Sequence, residues 1–241
     1  MIEYLYIEHV CNKDNLHNVI YPDLDHDYYW SDNFSCKFFI VLAKAGFITI
    51  GYVNEEVPII LPQLQTHYAL LEHKDLHISQ HVKKLLQKNT YHFSINERFK
   101  EVIEGIKKSY EDCWIHPTYE ALLHELHQGC FEGFKLISSE LSDPVTNTLV
   151  AGEIGYLCNG FYTGLTKFSL KEKAYTNWGT LQRVLLTQHL NKEGIHLSNL
   201  GHPQMQYKLD LGATIYARED FLKNYKNEIE ELIKNMKASM C

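Results

Sequence analysis

The chain has 241 residues, 45% of them hydrophobic, and a formal net charge of −7, enough for one large or two small globular domains and a poor match to a nucleic-acid binder working by global charge. Its six cysteines form no CxxC pair, which speaks against a zinc ribbon, a redox motif or a disulfide framework. No run of about eighteen apolar residues marks a membrane span, and "MIEYLYIEHVCNKD" lacks the flanks of a signal peptide, so a cytoplasmic, membrane-free, monomeric protein is expected.

In chain order, Phe34 to Gly46 has helical spacing with glycine where a helix ends, and two prolines between Val57 and Leu64 break the pattern. "YALLEHKDLHIS" reads as two strand pieces, and Ser79 as the cap of a helix "QHVKKLLQKN" carrying Lys83, Lys84 and Lys88. "YHFSI" returns to strand. Asn96 is placed to cap "ERFKEVIEGIKKSYE", whose Phe99, Val102, Ile103 and Ile106 share one face. A further helix runs from Pro117 through Leu126. The period then changes: "FKLISSEL", "LVAGEIGYLC" and "GFYTGLTKFS" are β-rich runs, the last two joined by Asn159-Gly160, a hairpin signal. An amphipathic helix from Trp178 to Leu190, a strand at Ile195, a short helix from Pro203, a strand "ATIYA" and a charged helix from Arg218 complete an α+β order around a mixed sheet.

Few motifs carry chemistry by themselves. The histidines of "HELH", His124 and His127, are three apart with no third ligand nearby, so no metal is expected. No GxSxG elbow is present. Where an acetyl-CoA-dependent transferase keeps its glycine-rich pyrophosphate loop, this chain has "KAYTNWGTL", so no cofactor is expected. The polar stretch "IHLSNLGHPQMQYKLDLGA" places Ser198, Asn199, His202, Gln204 and Gln206 between a strand end and a helix start, where unpaired backbone N–H groups collect.

The order of motifs resembles the leucyl/phenylalanyl-tRNA-protein transferase family, enzymes that pass leucine or phenylalanine from tRNA to a protein N-terminus. The similarity runs from about Phe34 to about Phe221. It rests on "LHIS" and the basic helix, on "FKEVIEGI" (Phe99 to Ile106), and on "CWIHPTYEALLHELHQG" with Trp114, Ile115, His124 and Gly129 in step. "LVAG" (Leu149 to Gly152), "GFYTGLTKFS" and "DLGATIYAREDF" continue it. The resemblance implies an N-acetyltransferase-like fold, with a small N-terminal domain over 1–75 and a catalytic domain over 76–241. This chain departs from the family's pattern where chemistry is expected. The family's DxQ falls on Ser198-Asn199-Leu200, its GES glutamate on Leu165, its SK on Thr176-Asn177, and its tryptophan pair on the region of "PIILP".

The reading that follows is an aminoacyl-tRNA-dependent transferase acting on an amine such as a protein or peptide N-terminus. Alternatives are another acyl transfer on the same fold and a non-catalytic module that binds tRNA or protein N-termini. Asn199, His202 and Ser198 are the candidate catalytic residues; equally, His202 caps a helix and faces solvent. Trp114, Phe161, Tyr162 and Phe168 are the expected walls for a Leu- or Phe-sized group, with Gln206 in support, and Trp114 is open to a second reading as a core residue. Lys83, Lys84 and Lys88 read alone as a solvated face, and the resemblance implies tRNA contact.

Overall fold

The computed structural model describes residues 3–223. The N-terminal segment consists of short pieces: β1 (Glu3–Tyr4) pairs in parallel with β2 (Tyr29–Trp30), and between them lie α1 (Ile7–Cys11), α2 (Lys13–Asn15) and a π-helical turn at Leu16–Ile20. Ser35 caps α3 (Cys36–Lys44) by accepting the Phe38 N–H at 3.2 Å. Gly46, at φ +87°, ends it in a conformation that favours glycine.

β3 (Ile48–Asn54) and β4 (Val57–Gln63) form a separate antiparallel pair. The expected break at Pro58 and Pro62 is corrected here, since both lie within β4. Ile60 sends its N–H away from β3, to Ser31 O at 2.8 Å. The proline nitrogens at 58 and 62 share that outer direction by strand alternation, so no β3–β4 bond is lost.

β5 (His67–Glu72) follows, then α4 (Gln80–Lys88), β6 (His92–Ile95), α5 (Phe99–Ser109) and α6 (Pro117–Gln128). Ser79 caps α4, its Oγ accepting the Val82 N–H at 3.4 Å. The second strand piece expected before it is a 3-10 turn at His73–Asp75. Asn96 is no helix cap either: it adopts φ +63° and its Oδ1 accepts the Ser138 N–H at 2.9 Å. Three long strands come next, β7 (Phe134–Asp143), β8 (Thr148–Cys158) and β9 (Phe161–Ser169), then α7 (Trp178–Lys192), β10 (Leu197–Asn199), the short α8 (Gln206–Asp210) and β11 (Thr214–Ala217). Residues 218–223 are helical, and the rest of the expected terminal helix lies outside the described residues.

Seven strands form one sheet in the order β11-β5-β10-β9-β8-β7-β6. Its pairs are antiparallel except β9 with β10. The fold is therefore α+β around a mixed sheet, as the sequence implies. The expected boundary at residue 75 cuts through it, because β5 hydrogen-bonds to both β10 and β11. One face of the sheet is buried by α3, α5 and α6 through Phe39, Val102, Ile103, Leu123, Ile154 and Tyr156. The other is covered by α7 and α4 through Trp178, Leu181, Val184 and Val82.

Candidate active site

β9 and β10 run side by side for only two residue pairs, Ser198 with Tyr162 and Asn199 with Thr163. Beyond them Leu200 donates its N–H to Ala69 O at 2.8 Å and Ala69 donates to Gly201 O at 2.9 Å, so that chain continues along β5. β9 stays with β8 as far as Ser169. The register between β8 and β9 shifts from Gly155 opposite Gly164 to Ile154 opposite Thr166, which leaves Leu165 as the extra residue of a bulge that bends β9. Two strands that start as neighbours thus part company, and the gap between them widens as a wedge.

The residues expected to act here occupy different environments. Ser198 and Asn199 are 0% and 2% exposed. Asn199 Oδ1 accepts the Gly201 N–H at 2.8 Å and holds the turn that leaves β9, while Ser198 Oγ is 2.7 Å from His73 Nε2. Burial pushes His73 down to about 4, so the imidazole is neutral at pH 7. His202 is exposed in the turn after β10; its Nδ1 accepts the Gln204 N–H at 3.4 Å and its carbonyl accepts the Lys208 ammonium at 2.6 Å. Gln206 is exposed and its amide donates to Asp210 Oδ1 at 3.0 Å.

The four aromatic residues expected to form one pocket are not brought together. Phe161 packs with Ile48, Tyr68, Leu70 and Phe221, whereas Tyr162, the next residue on the strand and therefore on the other face, packs with Ile137, Leu186 and Leu190. Phe168 fills the space over Gly105 of α5, where an added Cβ would meet its ring at 2.5 Å, and it borders a cavity of about 760 Å³ with Lys108 and Leu149. Trp114 is partly buried against Tyr119, ring centroids 5.3 Å apart. Lys83, Lys84 and Lys88 are exposed on α4.

A row of polar side chains that no local sequence motif marks lies between the sheet and α7. Ser139 on β7, Glu153 on β8 and Lys167 on β9 are directly opposite one another. Gln182 of α7 donates its amide to Ser139 Oγ at 2.5 Å, and the next residue, Arg183, bonds Glu153 Oε1 through Nη2. Tyr162 donates its hydroxyl to the same carboxylate oxygen at 2.9 Å. The pair fits because two glycines face each other beneath it. A Cβ at Gly155 would lie 2.2 Å from Tyr162 Oη, and one at Gly164 would lie 2.7 Å from Glu153 Oε1. At the wedge, Lys167 Nζ sits 3.8 Å over the ring of Tyr207. Burial, and then the Arg183 charge, push the Lys167 and Lys208 ammonium groups each down to about 8. The signal was present in the sequence as lone charges inside apolar runs: the glutamate of "LVAGEIGYLC", the lysine of "GFYTGLTKFS" and the arginine of "LQRVLL".

Among the described residues no cluster of three His, Cys, Asp or Glu side chains could hold a metal ion, and no helix is long and apolar enough to cross a membrane.

A mixed sheet whose one parallel pair splays after two residue pairs defines the class of fold. The particular family comes from comparison with known proteins. Residues 70–226 match the family model described as leucyl/phenylalanyl-tRNA protein transferase, and the chain belongs to that family. It is 30% identical over 153 residues to the leucyl/phenylalanyl-tRNA–protein transferase of Shewanella woodyi, covering 61% of this chain and 59% of the relative. The enzyme of the same name from Psychromonas ingrahamii is 26% identical over 173 residues, 70% of this chain and 68% of that one. The chain thus spans about three fifths of the length of relatives such as the Shewanella protein. Among solved structures, L-PGS from Bacillus licheniformis is 11% identical with a TM-score of 0.48, covering 85% of this chain and 69% of that one. A GCN5-related N-acetyltransferase from Kribbella flavida is 10% identical with a TM-score of 0.43, covering 90% and 75%.

Proposed function

We propose that this protein is an aminoacyl-tRNA-dependent transferase that moves a Leu- or Phe-like amino acid to an amine such as a protein N-terminus, working in the cytoplasm as a monomer. The observation that carries the reading is the family match over residues 70–226, which includes nearly all of the wedge's framework: the first half of β8, the second half of β9 that pairs with it, β10, and the turn that leaves it. An aminoacyl ester is already activated. The amine nitrogen attacks the ester carbonyl carbon, an amide forms, the donor's ribose hydroxyl leaves, and the amine gives up a proton. The protein's tasks are to hold amine and ester together, accept that proton and stabilise the oxyanion.

In this reading His202 accepts the proton at the mouth of the wedge. Asn199 and Ser198 act as positioning residues, since both are buried and spend their polar atoms on Gly201 and His73. Lys83, Lys84 and Lys88 meet phosphates of the tRNA. The test is to incubate the protein with leucyl-tRNA and phenylalanyl-tRNA and peptides of varied N-termini, following peptide mass for the addition of one residue. Addition is expected, with His202→Ala slower by on the order of a hundredfold, the usual cost of losing a general base. Activity kept within about threefold in that variant removes His202 from catalysis. No transfer to any peptide overturns the enzyme reading in favour of a binding module.

A further inference from the structure

A groove on the α5 side of the sheet gathers positive charge that the protein does not neutralise. It is a cavity of about 760 Å³ along α5 and the ends of β8 and β9, floored by Gly105, Leu149, Phe168 and Leu170. Three exposed lysines line it, Lys100 and Lys108 from α5 and Lys171 from the chain just after β9. Two glutamates line it as well, but their charge is answered by neighbours. Glu101 accepts from Arg98 with both carboxylate oxygens, and Glu104 is 3.3 Å from the Lys107 ammonium. Lys100, Lys108 and Lys171 have no ion pair among the described residues. Tyr110, the residue after α5, donates its hydroxyl to Lys167 O at 2.9 Å, which pins the end of the helix over β9 and holds the two walls of the groove together.

We propose that this groove is a second nucleic-acid contact, in which Lys100, Lys108 and Lys171 hold the sugar–phosphate backbone of a tRNA strand. The proposal rests on the transferase reading above for its choice of tRNA. Lys100 and Lys108 are eight residues apart on one helix, about 12 Å along its axis, so the positive charge is drawn out along the groove rather than focused on one point. That distribution matches phosphates repeated along a strand, and the apolar floor between the lysines meets ribose and base surface. The groove is also continuous with α4. Leu170 lines it and at the same time packs into the cluster that contains Val82 of α4 and Trp178 of α7, and Lys171 follows it directly. Lys171 thus stands between the lysines of α5 on one face of the sheet and those of α4 on the other, and the two sets form one band around the end of β9. The opposite sign is concentrated elsewhere. Residues 1–33 hold seven carboxylates against one lysine, so that segment carries nearly all of the chain's net charge of −7 and turns a polyanion toward the band.

The test is binding of labelled, deacylated leucine tRNA to the full chain, followed by fluorescence anisotropy from about 50 to about 200 mM salt, a range over which phosphate contacts weaken steeply. No ester is present, so the readout does not depend on transfer. Two triple variants remove the same charge from different places: Lys100→Gln, Lys108→Gln and Lys171→Gln in the groove, and Lys13→Gln, Lys37→Gln and Lys135→Gln away from it. All of these side chains are exposed, so both variants are expected to melt like the wild type. The groove variant is expected to bind about tenfold or more weakly at the low-salt end and to lose roughly two units from the slope of log affinity against log salt, while the control keeps the slope. A groove variant with the wild-type slope overturns the proposal, as does an absence of tRNA binding by the wild type. A control that loses as much slope also overturns it, because the field of the whole protein then accounts for the binding. Displacement of tRNA by polyglutamate as readily as by an RNA oligomer of equal charge assigns the groove to acidic polypeptides and overturns it too. Groove-dependent tRNA binding without transfer from either aminoacyl-tRNA upholds the groove and removes the transferase reading. Transfer with an unchanged kcat/KM for aminoacyl-tRNA in the groove variant does the reverse.

Discussion

The two faces of the seven-stranded sheet are built from the same strands and differ in how polar atoms are treated. On the face under α5 and α6, Phe39 packs edge to face against Tyr119, Phe134 and Tyr156 with centroids 5.9 to 6.5 Å apart. The tyrosines there spend their hydroxyls on backbone: Tyr119 on Thr49 O at 2.6 Å and Tyr156 on Phe47 O at 3.1 Å. On the face under α7, alternate residues of the same β8 supply Glu153, and the helix answers with Arg183 and Gln182. Some of those polar atoms stay unmet. The tyrosines of the first face spend their polar atoms within the scaffold, while the Glu153–Arg183 pair keeps hydrogen-bonding capacity that its protein partners do not use.

The largest expected effect breaks that contrast directly. Arg183→Met strands Glu153 in a dry site and is expected to cost about 3–5 kcal/mol, the usual penalty for removing one partner of a buried ion pair. Adding Glu153→Leu is expected to restore most of the loss, because the desolvation cost disappears with the charge. On the other face the arithmetic runs the opposite way. Ile154→Ala costs about 2–5 kcal/mol by opening a cavity, and a second truncation at Val102 deepens the loss. Urea unfolding of the four variants measures both. A double α7-face variant less stable than Arg183→Met would show that the pair is held for its net attraction.

The contrast also explains what could be read from sequence. The α5 face is legible because its apolar residues recur at helix and strand periods: Phe99, Val102, Ile103 and Ile106 share one face by their spacing and are buried together. The meander was legible from Asn159-Gly160, which adopts the positive φ values a tight hairpin requires. The Pro58–Pro62 strand was not, because proline is a breaker only where its missing N–H would have been paired. The site was the least legible part. Ser198, Asn199, His202 and Gln206 are adjacent in the chain but divide between a buried strand end and an exposed turn. The polar row joins residues on three strands and a helix that no local spacing links, so each appears in sequence as a single charge among apolar neighbours. The four aromatics failed as a pocket for a simpler reason: Phe161 and Tyr162 are consecutive on a strand and face opposite sides.

A smaller effect sharpens the comparison at the edge of the site. His73, folded against Ser198, is held near 4 by burial, below the ordinary histidine value of about 6.5. Between those values the unfolded chain binds the proton and the folded one does not, so stability rises with pH across that window and is lost as pH falls from about 6.5 toward 4. The contribution is on the order of 2–3 kcal/mol by the low end. Glu140, raised by burial and buried on β7, acts in the opposite sense, so the informative quantity is the difference between the wild type and His73→Gln. The stability of the wild type relative to that variant is expected to rise steadily from pH 4.5 to 7; a constant difference would mean that the imidazole is not held neutral by the fold.

The smallest effect on stability belongs to α4, where function and fold separate most cleanly. Val82 anchors the helix with 0% exposure while Lys83, Lys84 and Lys88 lie in solvent, so replacing the three lysines by alanine is expected to change stability by no more than about 0.5 kcal/mol. It takes the formal charge from −7 to −10, three positive charges fewer. A protein this acidic gains no affinity for tRNA from its overall field, so any affinity must come from a local patch, and these lysines are the candidate patch. Each phosphate contact releases about 0.7–0.9 of a counterion, so a plot of log affinity for tRNA against log salt is expected to lose roughly two units of slope in the triple variant. An unchanged slope, in a variant that melts like the wild type, would place the tRNA elsewhere on the molecule and leave α4 as a helix whose lysines serve only to keep its outer face wet.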